Sequence, residues 1–386
     1  VQAPVGAGRI VAIDRAAAEA SPGVRLVLDA SNALPVKSLT DYWGNAPREE
    51  YESPFSAHIT HNGQLVAAVV ADTLEEARAG AERLRIAYEE APVRATFAAE
   101  GTETQVVDML GKSWGDPDAT LADAPVVVEA TYGTPREYHV ALEPHGLIVE
   151  WEAEDRLTIH EPTQWVDGTA SWFARAFEIP FENVRVVSPY VGGGFGSKGF
   201  VLPHSIATAV AARMTGRPVR LTIARPQHFT SIGARPSTRQ TVRIGADRDG
   251  KIAAIDHDGT NETAIDKTFV ETLGVVTSMM YAVPNFRSTQ RIAPVNTVLP
   301  GAFRAPGKNP SAYALECAMD ELAVALDMDP LELRRRNEPD HDFETGKPWS
   351  SRRLLACYDA GAEAFGWARR SATPRSMRDG RQLIGW

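Results

Sequence analysis

The sequence predicts an α+β fold made of two successive units. Apolar runs of strand length, such as residues 64–71 (QLVAAVVA), are interspersed with amphipathic helical stretches, such as residues 311–326. The turn Asp247-Arg248-Asp249-Gly250 interrupts an alternating segment, residues 242–255, and marks a hairpin. A length of 386 residues suits about two or three domains and a large buried core.

Composition narrows the function classes. Hydrophobic residues make up 44% and charged residues 23%, an ordinary globular balance. The net charge of −10 argues against a nonspecific nucleic-acid or anionic-membrane binder. Two cysteines, Cys317 and Cys357, exclude a disulfide scaffold and any four-thiolate iron–sulfur or zinc site in this chain. They leave the compartment open, cytoplasmic or periplasmic. There is no apolar run of about eighteen residues and no recognisable signal peptide. The chain starts at Val1, which leads us to expect a processed or excised piece of something longer.

In the first unit, residues 1–95, strands are expected at 9–13, 23–28, 64–71 and 85–88. A helix opens at Asp72-Thr73, where Thr73 and Glu76 have capping-box spacing. Its apolar face is expected to run through Leu74, Ala77, Ala81 and Leu84. Residues 96–124 lack sustained periodicity and read as a connector. The second unit, 125–386, holds expected strands at 126–132, 146–151, 157–160, 184–187 and 219–223. Expected helices cover 169–177, 202–214, 311–326, a segment opened by Asp329-Pro330, and 350–365.

Several segments carry chemistry. Gly192-Gly193-Gly194-Phe195-Gly196 sets four glycines around one aromatic, continues as Ser197-Lys198-Gly199, and lies between a strand and a helix, which lets backbone N–H groups approach an anion. A Walker A loop is excluded, because Ser197 precedes Lys198 and Gly199 follows. Residues 194–199 match G-x-G-x-x-G, but no acidic residue occurs between Gly199 and Asp247, so NAD or NADP is the runner-up ligand. Gly301-Ala302-Phe303-Arg304-Ala305-Pro306-Gly307 precedes a helix N-terminus, another anion-friendly place. Residues 137–145 (EYHVALEPH) and Pro162-Thr163-Gln164 complete the set. His58-x-x-His61 lacks a third ligand and reads as incidental. His139 and Glu143 read as structural residues beside the pocket. Cys317 and Cys357 read as packing residues, and Arg334-Arg335-Arg336 as a solvated helix end or a partner contact.

Taken together, these segments resemble the molybdenum-binding large subunit of the xanthine dehydrogenase/aldehyde oxidase family. GGGFGSK (192–198) looks like its GGGFGGK-type loop, and GAFRAPG (301–307) like its arginine loop. Residues 139–145 look like its H-x-P-M-E-P-H segment. LECAMDELAVAL (315–326) followed by DPLELRRRN (329–337) looks like its signature of two helices. PWSS (348–351) and GGGFGSKG are most similar to the bacterial aldehyde-oxidising branch. The resemblance implies an α/β hammerhead domain, N-terminally incomplete, followed by the first molybdopterin-binding domain. It implies a molybdopterin cofactor with molybdenum, in the cytosine dinucleotide form. The metal is held through the pterin, with no direct protein ligand. It implies cofactor contacts from Gln164, from Gly193, Gly194, Phe195 and Gly196, and from Phe303, Arg304 and Ala305. The implied reaction is oxidation of an aldehyde to a carboxylate with water as the oxygen source. The implied partners are an iron–sulfur subunit and an FAD subunit.

Two departures shape the expectation. Purine-oxidising relatives carry a glutamate where this chain has Gly199, and a stacking phenylalanine where it has Ala305-Pro306; xanthine is therefore disfavoured. Family subunits also continue into a second cofactor-binding domain with the general-base glutamate. That base is expected beyond residue 386, on a chain that supplies the second domain, with no turnover from this chain alone. The alternatives are a noncatalytic cofactor scaffold or assembly protein on the same fold, and an N-heterocycle hydroxylase.

Overall fold

The computed structural model describes residues 1–37, 39–43, 46–51, 54–373 and 375–385, so Trp386, the expected end of the second unit, lies outside them. Strand Gly8–Asp14 pairs antiparallel with His58–Ile59 on one side and Arg85–Glu90 on the other. Val24–Asp29 pairs with Ala67–Ala71, and helix Leu74–Arg83 packs on that pair. The capping box forms as its spacing predicts. The Thr73 hydroxyl accepts from the Glu76 N–H at 3.2 Å, and the Glu76 carboxylate accepts from the Thr73 N–H at 3.1 Å. The expected apolar face forms in part: Leu84 is buried and Ala77 and Ala81 are half-buried, but Leu74, on the first turn, is exposed, and Gly80 packs closely enough that a Cβ there would crowd Val24 and Val69.

Two sheets organise the rest. A four-stranded sheet runs Val184–Val187, Arg156–His160, Gly146–Ala153, Val219–Thr222. Helices Val166–Phe177 and Pro203–Thr215 pack on it, and Ile159, Phe173 and Ile206 are fully buried between them. Leu28 and Phe55 of the first unit enter the same core, so the two units share packing. The larger sheet runs Val126–Thr134, Thr238–Ala246, Ile252–Ala264, Asn285–Val295, Gln105–Val106, with Lys112–Trp114 also on Asn285–Val295. Residues 96–124 thus edge a sheet, and Pro117–Asp123 is helical, with Leu121 buried. Helix Lys308–Ala325 lies across Val126–Thr134 and Thr238–Ala246.

The expected hairpin forms at 247–250, where the Asp247 carboxylate accepts the N–H groups of Asp249 and Lys251. Strand Asn285–Val295 (NFRSTQRIAPV) has no sequence signal, because its buried face includes Ser288 and Gln290. Gln290 is satisfied from both ends: its Oε1 accepts the Leu273 N–H, and its Nε2 donates to Asn261. The arginine run is not merely solvated. Arg334 pairs with Glu316 and Asp320, and Arg335 with Asp359, which ties three helices together. Cys317 sits against the core, but Cys357 is exposed, contrary to the packing role expected of it.

Candidate functional site

The four motif segments, far apart in sequence, meet at one place. Gln164 follows strand Arg156–His160 and precedes helix Val166–Phe177. Its side-chain oxygen accepts the N–H of Gly196 at 2.9 Å and of Lys198 at 3.3 Å, while its own N–H donates to the Lys198 carbonyl at 2.8 Å. Two backbone donors on one oxygen fix the orientation of the amide. Its NH₂ group is left without a hydrogen-bond partner among the described residues, on an exposed side chain.

The glycines of this loop are sterically required. A Cβ on Gly194 would stand 2.3 Å from Gln164 Oε1. Gly196 has φ +115°, and a Cβ there would stand 2.0 Å from the Ala302 carbonyl oxygen. The glycine loop and the arginine loop are therefore in backbone contact, and the Arg304 N–H donates to the Phe195 carbonyl at 2.9 Å. Gly193 lies beside the Phe195 ring. Three non-glycine residues with positive φ fall in these segments: Val140 (φ 40°), Phe195 (φ 57°) and Ala305 (φ 62°). Strain of this kind concentrates where the surrounding structure holds a backbone in an uncommon shape for a purpose.

Residues 137–145 strap the two loops together. His139 Nε2 donates to the Ala302 carbonyl at 2.8 Å, and its ring stands edge-on to Phe303, 4.7 Å between centroids. Glu143 accepts from the Gly192 N–H at 2.7 Å and from Lys198 Nζ at 2.6 Å. Burial pushes the Glu143 carboxyl up, but Lys198 and the Gly192 N–H outweigh it and hold the group below its usual range. Behind the loops stand three histidines, with His145 5.1 Å from His228 and 5.9 Å from His204. Burial, reinforced by neighbouring cationic and imidazole groups, pushes His145 and His204 down to about 3, so both are neutral near pH 7.

Sequence reasoning named Gln164, Gly193, Gly194, Phe195, Gly196, Phe303, Arg304 and Ala305, and the structure gathers them along one seam. The Arg304 side chain is exposed, with no ion pair among the described residues. The seam thus offers a neutral amide and a free guanidinium, and its two loops, 192–199 and 301–307, carry no carboxylate of their own. Such a donor set suits an anionic group, and this is the fit expected of a phosphorylated pterin. Sequence reasoning missed Arg235, which underlies the arginine loop, and the histidines His204 and His228; nothing local in the sequence marks them. A cavity of about 340 Å³ opens beside the seam, between Gly196, His139 and Ala302 on one side and His61 and Gln64 of the first unit on the other.

A sequence model of the molybdopterin cofactor-binding domain matches residues 99–338. One for the aldehyde oxidase and xanthine dehydrogenase a/b hammerhead domain matches residues 1–92. The chain belongs to the aldehyde oxidase and xanthine dehydrogenase family. It is 36% identical over its whole length to the aldehyde oxidoreductase molybdenum-binding subunit PaoC of Escherichia coli K12, covering 52% of that protein. It is 27% identical over 96% of its length to a xanthine dehydrogenase molybdenum-binding subunit of Escherichia coli O157:H7, again covering 52%. Among solved structures, the aldehyde oxidoreductase of Desulfovibrio desulfuricans superposes with TM-score 0.84 at 26% identity, over 96% of this chain and 44% of that one. This family member thus spans about half the length of the curated relatives it matches. Its fold is the α+β pairing of a hammerhead with a molybdopterin-binding domain. Among the described residues, no helix is long and apolar enough to cross a membrane.

Proposed function

We propose that this chain is the molybdenum-cofactor-binding part of a hydroxylase that oxidises aldehydes to carboxylates, with water as the oxygen source. The observation that carries it is the locked Gln164 amide, whose oxygen is occupied by the glycine loop and whose NH₂ is free, while the Arg304 N–H holds that same glycine loop and the Arg304 side chain stays exposed. The carboxamide NH₂ of Gln164, the backbone of Gly193, Gly194, Phe195 and Gly196, and the loop residues Phe303, Arg304 and Ala305 would hold the molybdopterin. When bound, the cofactor supplies two-electron oxidation at carbon. The chain's own residues contribute orientation and electrostatics: N–H donors on rigid loops, placed before the anion arrives, cost no reorganisation.

Finer points of the proposal rest on the family. The cofactor is in the cytosine dinucleotide form, and electrons leave through an iron–sulfur subunit and an FAD subunit. The two cysteines here, one of them against the core, are too few to hold a cluster. Residues 1–95 form the hammerhead, 96–124 a connector and 125–386 the first cofactor-binding domain. The second such domain and the general-base glutamate come from polypeptide beyond these residues. Gly199 and Ala305-Pro306 offer no group to grip a purine ring, which supports an aldehyde over xanthine.

Gln164→Glu tests the proposal in the complete protein with its natural partners. The carboxylate keeps an oxygen for the Gly196 and Lys198 N–H groups but replaces a donor by a negative charge facing the cofactor. The expected result is an unchanged melting temperature with at least a tenfold fall in aldehyde turnover, about 1.4 kcal/mol of transition-state stabilisation. Full turnover in the variant, or an intact assembly that holds no molybdenum, overturns it.

A further inference from the structure

Arg235 is among the largest fully buried side chains of the molecule, at 1% exposure, and it lies directly under the arginine loop. One terminal nitrogen of its guanidinium donates to the Glu137 carboxylate at 2.6 Å and to Asn309 Oδ1 at 2.7 Å. The other donates to the carbonyls of Phe303 and of Arg304, the latter at 2.6 Å. The guanidinium carbon stands over the Phe303 ring, 4.9 Å from its centroid. Its backbone also pairs with Glu137 in both directions, so the anchor itself is tied to the strap at 137–145. A second acid, Glu271, fully buried, accepts the Gly307 N–H at the far end of the same loop, 3.9 Å from Arg235 Nε.

This geometry has a directional consequence. Both carbonyls that Arg235 holds belong to the two residues immediately before the positive-φ Ala305, a conformation that costs about 1–3 kcal/mol unless the surroundings impose it. With the carbonyls of residues 303 and 304 turned inward onto the guanidinium, the Arg304 side chain is left to the exposed side. A planar fork with donors to spare can hold two carbonyls and two side-chain acceptors at once, whereas an ammonium cannot match that geometry.

We propose that Arg235 is the positioning residue of the Phe303–Arg304–Ala305 loop: it touches no bound group, but it sets the backbone from which Arg304 is presented to the cofactor. The proposal rests on that loop facing the cofactor, so the test separates the two claims. In the complete, cofactor-loaded protein, Arg235→Lys keeps the buried charge and loses the fork. Amide exchange at Arg304 and Gly307 is expected to quicken about tenfold, while exchange in residues 192–199 and in the core strands stays as in the wild type. Molybdenum content is expected to fall, in keeping with the about 10–100-fold affinity losses seen when groups that orient a metal site's contacts are removed. Unchanged exchange at 304 and 307 overturns the proposal, as does a uniform rise across the whole chain, which marks general destabilisation. Normal molybdenum content despite faster loop exchange also overturns it. Arg304→Ala is the parallel arm. If it too leaves molybdenum content and the metal's spectrum untouched, the cofactor assignment of the loop fails rather than the role of Arg235 within it. Should the lysine variant not accumulate, Glu137→Gln removes charge from one partner of Arg235 without uncovering it. The same two amides are then expected to quicken several-fold, and no change there counts against the proposal.

Discussion

Lys198 and Glu143 join the glycine loop to the strap that precedes strand Gly146–Ala153, with Nζ and Oε2 2.6 Å apart. The pair is asymmetric: the Lys198 side chain is 1% exposed and that of Glu143 38%. Lys198 Nζ also donates to the Glu143 carbonyl, and the Lys198 backbone engages Gln164 on both its N–H and its C=O. One residue therefore links three of the four segments of the site.

That asymmetry sets an order of mutational costs. Removing the carboxylate in Glu143→Ala strands a buried ammonium, and about 3 kcal/mol of stability should be lost. Removing the cation in Lys198→Met leaves a carboxylate that water can reach, so the loss should be smaller, about 1–2 kcal/mol. Urea unfolding of the two variants checks the order, and equal losses would reject the account.

Gly196 should tolerate no side chain. At φ +115°, with a would-be Cβ 2.0 Å from the Ala302 carbonyl oxygen, Gly196→Ala must part the two loops. It is expected to cost about 2 kcal/mol or more and to lower molybdenum content. Gly199→Ala is the control, because its would-be Cβ meets nothing nearer than the Gly196 oxygen at 3.3 Å and its φ is ordinary. Thermal melting and metal analysis of the two should diverge sharply.

Glu161 carries a pH dependence. Its Oε2 is buried without a partner, and burial pushes the carboxyl up to about 7, against the pull of the Ser205 hydroxyl and of Lys198. The folded value lies above the ordinary 4.5, so the folded state keeps the proton longer. Stability from this group is present below about pH 4.5 and is lost as pH rises through 7. Glu161→Gln, which cannot ionise, should gain on the wild type by about 2 kcal/mol between pH 5 and pH 8. A pH-independent difference would exclude this origin.

The histidines behind the loops act in the opposite direction. His204 is pushed down to about 3 from an ordinary 6.5, by burial first and by His145 and His228 next. The unfolded chain binds that proton more readily, so stability falls as pH drops from about 6.5 towards 3. His204→Leu should flatten this acid limb by up to about 1.4 kcal/mol per pH unit. Denaturant midpoints between pH 4 and pH 7 measure the slope, and an unaltered slope would refute the contribution.

Much of the architecture was legible because it is locally encoded. The capping box at Thr73 and Glu76, the aspartate–glycine turn at 247–250 and the Asp329 cap, which accepts from the N–H groups of Leu331 and Glu332, each satisfy their own backbone within a few residues. Local patterns failed where burial depends on distant partners. Asn285–Val295 is a central strand despite its polar face, because Asn261 and the Leu273 backbone satisfy Gln290. Leu74 and Cys357 face solvent although their helical periodicity points inward, because burial needs a neighbour on that side.

By itself, the sequence determined the residue chemistry of the site: glycines where backbones must touch, an amide at 164, a guanidinium at 304, and strand and helix periods that carry them to loop ends. Only the tertiary structure decided how those pieces act together. The amide of Gln164 is turned by the N–H groups of Gly196 and Lys198, 32 and 34 positions away, and the Arg304 loop is seated on Arg235, 69 positions before it. Hydrogen bonds and ion pairs of that reach form only when chain folding brings their ends together, so no local window of sequence contains them.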